Sequence, residues 1–210
     1  MKNIAILFLG LSASGKGKRC KLLQRSGQNW KYLFGSGEYI RSQIKADTEL
    51  GQAAEKICRA GKHLSDDLIQ TVWHQGLKPL EGKPLILDGC VRNAEQARRF
   101  LLFMRAMNYI VHVVIVDTPL SVCLGRVEKE IIDDPARSER EDTENLTSKI
   151  TGDLNGFRGA CGFFFGTSGK LSGRNLRLKG IDFDQDLKDL QSWIAYLMSM
   201  RLVSLKESAA

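Results

Sequence analysis

The chain has 210 residues, of which 43% are hydrophobic, so it suits one domain with insertions or two small domains and can form a proper core. A formal charge of +7 favours anionic ligands such as nucleotides, phosphates or RNA, without choosing among them. Five scattered cysteines without a CxxC pair indicate neither a zinc site nor a disulfide framework, and no apolar run approaches the length of a membrane span. Reduced thiols and a cytoplasmic location are therefore expected.

Short apolar runs rich in β-branched residues alternate with helical stretches along the chain. Strands are predicted at 4–9, 30–34, 85–88, 110–117 and 176–179. Helices are predicted at 16–25, 38–45, 50–60, 65–76, 94–107, 120–131, 141–154 and 185–202. Such alternation is typical of an α/β fold, and we predict a five-stranded parallel sheet with helices on both faces.

Three segments depart from this alternation. Residues 38–76 are helical without an intervening strand, which predicts a small helical excursion from the sheet. Residues 132–140 are polar and contain a proline, which is typical of a mobile loop. The glycine-rich stretch 156–174 has no structural assignment, and its three consecutive phenylalanines from Phe163 are expected in the core rather than at a cofactor.

A glycine-rich turn follows the first predicted strand and precedes the first predicted helix. Its sequence is Gly10-Leu-Ser-Ala-Ser-Gly15-Lys16-Gly17. In the order strand, turn, helix, backbone N–H groups and the helix dipole converge on one spot and attract an anion. Gly15 and Gly17 let the backbone approach a phosphate, and Lys16 adds a mobile positive charge. A turn without a ligand is the simpler alternative, and Met1-Lys2 with the apolar run also resembles a short signal peptide.

One position departs from the usual phosphate-binding loop. A serine or threonine, whose hydroxyl helps to organise Mg²⁺, is expected after the lysine. Here Gly17 is followed by Lys18, which can grip a phosphate oxygen but cannot bind a metal ion.

Five motifs follow one another in an order that is specific when taken together. They are Gly10 to Gly17, Ser36-Gly-Glu-Tyr-Ile-Arg41, Leu50-Gly51 with Gly61-Lys62-His-Leu-Ser-Asp66, Leu87-Asp88-Gly89-Cys90-Val91-Arg92 through Gln96, and Asp117-Thr-Pro-Leu through Arg126 with Arg140-Glu-Asp142. In this order they resemble the adenylate kinase family of nucleoside monophosphate kinases. The resemblance runs from about residue 4 to residue 179.

The resemblance implies a P-loop kinase core over residues 1–210. It also implies a helical insertion at 37–80 that binds the nucleoside monophosphate and a short lid at 132–140. The implied activity is reversible transfer of the γ-phosphoryl group of ATP to AMP, with Mg²⁺ (ATP + AMP = 2 ADP). The chain is expected to be a monomer, without membrane contact and without nucleic acid as a partner.

The matched motifs also imply the site residues. The ATP-binding set is Ala13, Ser14, Gly15, Lys16, Gly17, Lys18, Arg126 and Lys179. The acceptor-binding set is Ser36, Arg41, Lys62, Leu64, Gly89, Arg92, Gln96, Arg140 and Lys149. The catalytic set is Lys16, Arg92, Arg126 and Arg140, because cations placed over the transferring phosphoryl group lower the barrier. Asp88 is expected to hold Mg²⁺ through water.

Some of these residues have ordinary structural alternatives. Arg41 and Arg92 are expected to clamp the acceptor phosphate but could form surface salt bridges instead. Asp88 could cap a helix rather than serve a metal ion. Gln96 is expected to read adenine, because its amide both donates and accepts, but could be an ordinary helical glutamine. The three histidines, with no metal-binding spacing, are expected at the surface or in packing.

Departures from the family pattern bear on rate and substrate. Cys90-Val91 replaces an aromatic residue and a proline, and Glu130 stands where many members have a second arginine. Lys149 stands near an expected lid arginine and cannot form the same fork. With Lys18, these changes lower the expected rate. They leave open a UMP/CMP kinase, another nucleoside monophosphate kinase, or a divergent member of low activity that binds nucleotides or RNA.

Overall fold

The computed structural model describes residues 3–26, 30–60, 62–133, 143–165 and 175–207. Within these ranges five strands form one sheet in the order β2-β3-β1-β4-β5, and all neighbouring strands are parallel. The strands are β1 (Asn3–Leu9), β2 (Tyr32–Gly35), β3 (Leu85–Asp88), β4 (Tyr109–Val116) and β5 (Leu176–Leu178). The predicted five-stranded parallel sheet is confirmed.

Strand β1 lies in the middle of the sheet and is buried on both faces. Ala5 and Leu7 belong to the hydrophobic core on one face, whereas Ile4, Ile6 and Phe8 belong to the core on the other. This division follows from the side-chain period of two in a strand. The apolar run that also resembled a signal peptide therefore forms the central strand.

Helices cover both faces of the sheet, as predicted. They are α1 (Lys16–Ser26), α2 (Ser36–Lys45), α3 (Glu49–Arg59), α4 (Asp66–Leu77), α5 (Ala94–Ala106), α6 (Leu120–Asp133), α7 (Thr143–Phe165) and α8 (Phe183–Glu207). Leu23 of α1 and Trp193 of α8 belong to the core on one face. Trp73 of α4, Phe100 of α5 and Phe165 of α7 belong to the core on the other.

Helix α7 corrects the sequence analysis, which ended this helix at residue 154. It continues to Phe165 although it contains four glycines. A Cβ on Gly156 would lie 2.8 Å from the carbonyl oxygen of Arg92, and one on Gly159 would lie 3.7 Å from the Cβ of Ala94. Glycine at position 156 therefore lets α7 pack closely against the start of α5, whereas a Cβ at position 159 would make an ordinary van der Waals contact.

The three consecutive phenylalanines end α7. Phe165 is buried and Phe164 packs against the core, as expected, but Phe163 is 42% exposed, so the prediction was wrong for that residue. The remainder of the glycine-rich stretch, 166–174, lies outside the described residues.

Between β2 and β3 the described chain forms α2, α3, α4 and a short 3-10 helix (Lys78–Leu80), without a strand. The side-chain oxygens of Thr48 and Ser65 accept hydrogen bonds from the N–H groups of Gly51 and Leu68 and so cap α3 and α4. The role of this helical segment in acceptor binding stays a prediction. Of the predicted lid, residues 134–140 lie outside the described residues. None of the helices in the described ranges combines the length and the apolar character needed to cross a membrane.

Candidate active site

The candidate site lies at the carboxyl ends of β1 and β3. The glycine-rich turn begins directly after β1, and Asp88 ends β3 in register with Phe8 of β1. Open parallel sheets bind their ligands at this edge, because loops and helix N-termini converge there. The sheet therefore places the turn, the first turn of α1 and the Asp88 carboxylate side by side.

The turn forms a compact loop that leads into α1. The N–H of Ser14 donates to the carbonyl oxygen of Leu11 at 3.1 Å, and Thr118 donates its hydroxyl to the Ser14 carbonyl at 2.9 Å. A Cβ on Gly10 would lie 2.8 Å from the carbonyl oxygen of Val116, so only glycine fits next to β4 at this position. Gly15 has a φ of 88°, which its lack of a Cβ permits.

The Lys16 side chain folds back onto the start of the loop. Its Nζ donates to the carbonyl oxygens of Gly10 and Leu11 at 2.8 and 2.7 Å. Burial lowers the pKa of Lys16, and the nearby Asp88 carboxylate opposes that shift. The ammonium group is thus held against two carbonyl oxygens of the glycine-rich turn.

Lys18 contacts an aromatic ring next to the loop. Its Nζ lies 4.2 Å from the ring centroid of Phe183 at the start of α8, a cation–π contact. Position 17 remains close to the candidate metal residue, since a Cβ on Gly17 would lie 3.2 Å from Oδ2 of Asp88.

Arg126 joins the loop to the turn after β5. Its Nη1 donates to the carbonyl oxygens of Ala13 and Ser14 at 3.2 and 3.1 Å, and its Nη2 donates to the carbonyl oxygen of Gly180 at 2.9 Å. The predicted donor residues Arg126, Ser14 and Ala13 thus lie together, next to the backbone that follows Lys179.

The same turn is fixed by a buried ion pair. The N–H groups of Lys179 and Gly180 donate to the carboxylate of Asp186 at 3.1 and 2.9 Å, and Arg19 of α1 forms a salt bridge with that carboxylate. Both charged side chains are at most 4% exposed. Arg19 also donates to the carbonyl oxygen of Gly15 at 3.2 Å, so the pair connects the phosphate loop to the turn after β5.

A cavity of about 650 Å³ brings most of the predicted donor-side residues together. Its lining residues are Ala13, Gly15, Lys16, Gly17, Lys18, Arg19, Arg41, Asp88, Arg126 and Phe183. A smaller neighbouring cavity of about 50 Å³ contains Lys16, Gly89, Arg92 and Asp153 in its wall. Lys16 is common to both, so it lies between Arg41 and Arg126 on one side and Arg92 on the other.

Arg92 follows β3 and is held by three side chains. Its N–H donates to Oε1 of Gln96 at 2.9 Å. Its Nη1 lies 2.8 Å from Nδ1 of His63 and 3.3 Å from Oδ2 of Asp153. Gln96 is buried and its Nε2 donates to Asp66 at 2.9 Å, so both ends of its amide are engaged within the protein.

Four of the predicted acceptor residues line neither cavity: Ser36, Lys62, Leu64 and Gln96. Ser36 is buried at the start of α2, Leu64 packs against the core, and Lys62 is exposed. Arg140 and the side chain of Lys149 lie outside the described residues. Their predicted roles stay predictions.

Asp88 does not cap a helix. The cap of α5 is Asn93, whose side chain accepts from the N–H of Gln96 at 2.8 Å. Burial raises the pKa of Asp88, and Glu38 adds to the shift while Lys16 opposes it. The carboxylate therefore faces the loop rather than serving the backbone of α5.

The family model of adenylate kinase matches residues 8–186. The chain belongs to the adenylate kinase family. It is accordingly a phosphotransferase of the nucleoside monophosphate kinase class.

Individual relatives agree with this family. The chain is 32% identical over 141 residues to an adenylate kinase of Prochlorococcus marinus (strain MIT 9301), covering 66% of this chain and 71% of the relative. It is 35% identical over 92 residues to an adenylate kinase of Synechococcus sp. (strain WH7803), covering 44% of this chain and 49% of the relative. It is 29% identical over 129 residues to an adenylate kinase of Pelagibacter ubique (strain HTCC1062), covering 60% of this chain and 58% of the relative. The chain thus spans from about half to about seven tenths of the length of these relatives.

A magnesium ion that accompanies ATP, as the adenylate kinase family implies, fits the residues present. Mg²⁺ is held in proteins by one or two carboxylates together with substrate phosphates and water. A Cβ on Gly35 would lie 3.9 Å from Oε2 of Glu38 and 4.0 Å from the Cβ of Asp88, so both side chains are near one point. The described residues contain no group of three metal-binding side chains.

No sequence signal pointed to the site contacts of His63, Arg19 and Asp186. His74 and His112 pack against the rings of Phe103 and Trp193, as expected for packing histidines. His63 instead bridges Arg92 and Asp153. Asp186 and its partner Arg19 are 167 positions apart, and no spacing rule connects residues at that distance.

Proposed function

We propose that the chain catalyses reversible transfer of the γ-phosphoryl group of ATP to a nucleoside monophosphate, with AMP as the preferred acceptor. One observation carries this proposal: Lys16 lies in the wall of two adjoining cavities, with Arg126 and Asp88 in the larger and Arg92 in the smaller. Two nucleotides that enter from opposite sides would meet with their phosphates over Lys16.

The donor side is supported by the contacts around the loop. The N–H groups that begin α1 are available to a phosphate, and the helix dipole favours its charge. Arg126 and the Gly180 turn would bind the nucleoside end of ATP. Phosphates would compete with the loop carbonyls for the Lys16 ammonium, which is a mobile point charge and can follow the transferring group.

The acceptor side is supported by Arg92, which lines the smaller cavity. Arg41 lines the larger cavity together with the donor residue Arg126, so it would reach the acceptor phosphate where the two cavities adjoin at Lys16. A guanidinium matches phosphate oxygens with two parallel hydrogen bonds and so orients the acceptor for in-line attack. Mg²⁺, when bound near Asp88, would supply further neutralisation of phosphate charge. The helical insertion at 37–80 is proposed to carry the acceptor.

The test is a coupled assay of the purified full chain with ATP, Mg²⁺ and each of AMP, UMP, CMP and GMP. We expect turnover with AMP above the other acceptors, and a loss of about 100-fold or more in kcat for Lys16→Ala. Faster turnover with UMP or CMP would replace the AMP assignment by a UMP/CMP kinase. Turnover no greater than that of Lys16→Ala with every acceptor would contradict the catalytic proposal.

A further inference from the structure

Three charged or polar side chains from separate parts of the chain meet at the rim of the smaller cavity. Arg92 follows β3, His63 lies between α3 and α4 in the helical segment, and Asp153 lies on α7. Nε2 of His63 is 2.6 Å from Oδ1 of Asp153, and Nη1 of Arg92 is 3.3 Å from Oδ2 of the same carboxylate. We call these three residues the rim cluster.

The hydrogen bonds of the rim cluster have only one consistent direction. The guanidinium of Arg92 can only donate, so Nδ1 of His63, 2.8 Å from Nη1, must accept. The His63 proton then lies on Nε2 and is donated to Asp153. The cluster therefore holds a neutral histidine in one tautomer between a cation and an anion.

The contacts restrain one end of the arginine and leave the other open. Both contacts go to Nη1, and within the described part of the chain Nη2 and Nε of Arg92 make no hydrogen bond. Nε and Nη2 together form a fork that matches two phosphate oxygens. The backbone of Arg92 is also held, because its N–H donates to Gln96 and its carbonyl packs against Gly156.

Burial separates the rim cluster from an ordinary surface salt bridge. The Asp153 side chain is 12% exposed, whereas Arg92 is 42% exposed towards solvent. Exposed ion pairs are weak because water screens them and because two long side chains must be ordered. Here the anion is largely removed from water, and α7 fixes its place, so the arginine is oriented by a rigid partner.

We propose that His63 and Asp153 are positioning residues that hold Arg92 with its Nε–Nη2 fork turned towards the phosphate of the acceptor nucleotide. The proposal rests on the proposed function, because the phosphate in question is that of the nucleoside monophosphate. Since His63 belongs to the helical segment and Asp153 to α7, the cluster also fixes these two elements relative to the acceptor. The opposite possibility is that Asp153 occupies Arg92 and competes with the phosphate.

Binding of AMP in the absence of ATP separates these two possibilities. We measure the Kd of AMP by calorimetry for the wild type, Asp153→Ala and Asp153→Asn. Positioning predicts a Kd about tenfold higher for Asp153→Ala and an intermediate value for Asp153→Asn, which keeps an acceptor oxygen. Glu95→Ala is the matched control, because Glu95, like Asp153, pairs with two basic side chains, here Arg98 and Arg99 on the outer surface of α5. The Kd of AMP for this variant should be unchanged. An unchanged or lower Kd for Asp153→Ala would overturn the inference.

A second readout does not depend on nucleotide or turnover. We expect ¹⁵N NMR of the ligand-free wild type at neutral pH to show His63 protonated at Nε2 alone, and Asp153→Ala to lose this preference. A His63 protonated at Nδ1 would overturn the inference even if AMP is phosphorylated. In the coupled assay, the acceptor KM should rise for Asp153→Ala while the ATP KM stays unchanged. Absence of turnover in the wild type would contradict the proposed function, while calorimetry and NMR would still decide the role of the rim cluster.

Discussion

At the scale of single residues, the phosphate loop contains an alanine in a conformation that favours glycine. Ala13 has a φ of 58°, in the left-handed region, and Gly15 nearby has a φ of 88°. For a residue with a Cβ this region costs about 1–2 kcal/mol, because the Cβ approaches the following carbonyl oxygen. The strain at Ala13 remains in the folded state, since the surrounding loop is held by Arg126 and Thr118.

Ala13→Gly should therefore raise the free energy of unfolding by up to about 1 kcal/mol, the relief of strain less the greater backbone entropy of glycine in the unfolded chain. Denaturant titration of the ligand-free wild type and variant measures this change in the free energy of unfolding. Ala53→Gly is the matched control, because Ala53 is exposed inside α3, where the same change should destabilise by about 1 kcal/mol. Equal destabilisation by both substitutions would show that Ala13 is unstrained.

Lys18 shows how a single departure from the family pattern is accommodated. Its ammonium lies 4.2 Å from the ring centroid of Phe183, and both side chains line the larger cavity together with the loop residues. The first turn of α1 lies close to Asp88, and a Cβ at position 17 would be only 3.2 Å from Oδ2 of that residue.

At the scale of elements, helix α7 determines the geometry on the acceptor side. It carries Asp153 and passes so close to Arg92 that position 156 has no room for a Cβ. Its other glycines differ, since a Cβ on Gly152 or Gly162 would meet no atom within 4 Å. Two glycines in the same helix should therefore respond to alanine in opposite ways.

Gly152→Ala should stabilise the protein by about 0.5–1 kcal/mol, because alanine loses less backbone entropy in a helix and meets no neighbour. Gly156→Ala should destabilise it by about 1–3 kcal/mol, since the added methyl group overlaps the Arg92 carbonyl. Thermal and denaturant unfolding of both variants test the pair. A stabilising Gly156→Ala would mean that α7 can move away from α5 without cost.

At the scale of the whole molecule, the buried pair of Arg19 and Asp186 connects the first helix to the last. The pair joins α1, α8 and the turn after β5. The carbonyl oxygen of Gly180 in that turn also accepts a hydrogen bond from Arg126. A buried charge that loses its partner is costly, because the remaining ion has neither water nor a counter-charge.

Asp186→Ala should thus destabilise the protein by about 3–5 kcal/mol, because it leaves the Arg19 guanidinium unpaired in the interior. Asp117→Ala is the control: it removes a pair with Arg177 whose N–O distance is 3.5 Å and whose side chains are nearly half exposed. That change should cost less than about 1 kcal/mol. Denaturation midpoints compare the two, and similar values would contradict the role given to the buried pair.

The elements and the phosphate loop could be read from the sequence because their signals are local. Short apolar runs rich in β-branched residues, helical periodicity and the order strand, glycine turn, Lys16 depend on neighbouring residues. The same chain order carried the family resemblance. Most element bounds agree within two residues for this reason. The helix prediction ended at residue 154 because helix propensity counts glycine as unfavourable, whereas close packing at the start of α5 requires glycine at position 156.

The contacts that connect the elements required the folded structure. Arg19 with Asp186, Lys18 with Phe183, and Arg92 with His63 and Asp153 each join positions far apart in the chain. Such pairs follow from how closely helices and turns approach one another at the sheet edge, and residue order carries no measure of that approach. Local chemistry therefore identified the loop and its lysine, while long-range packing decided which charges surround it.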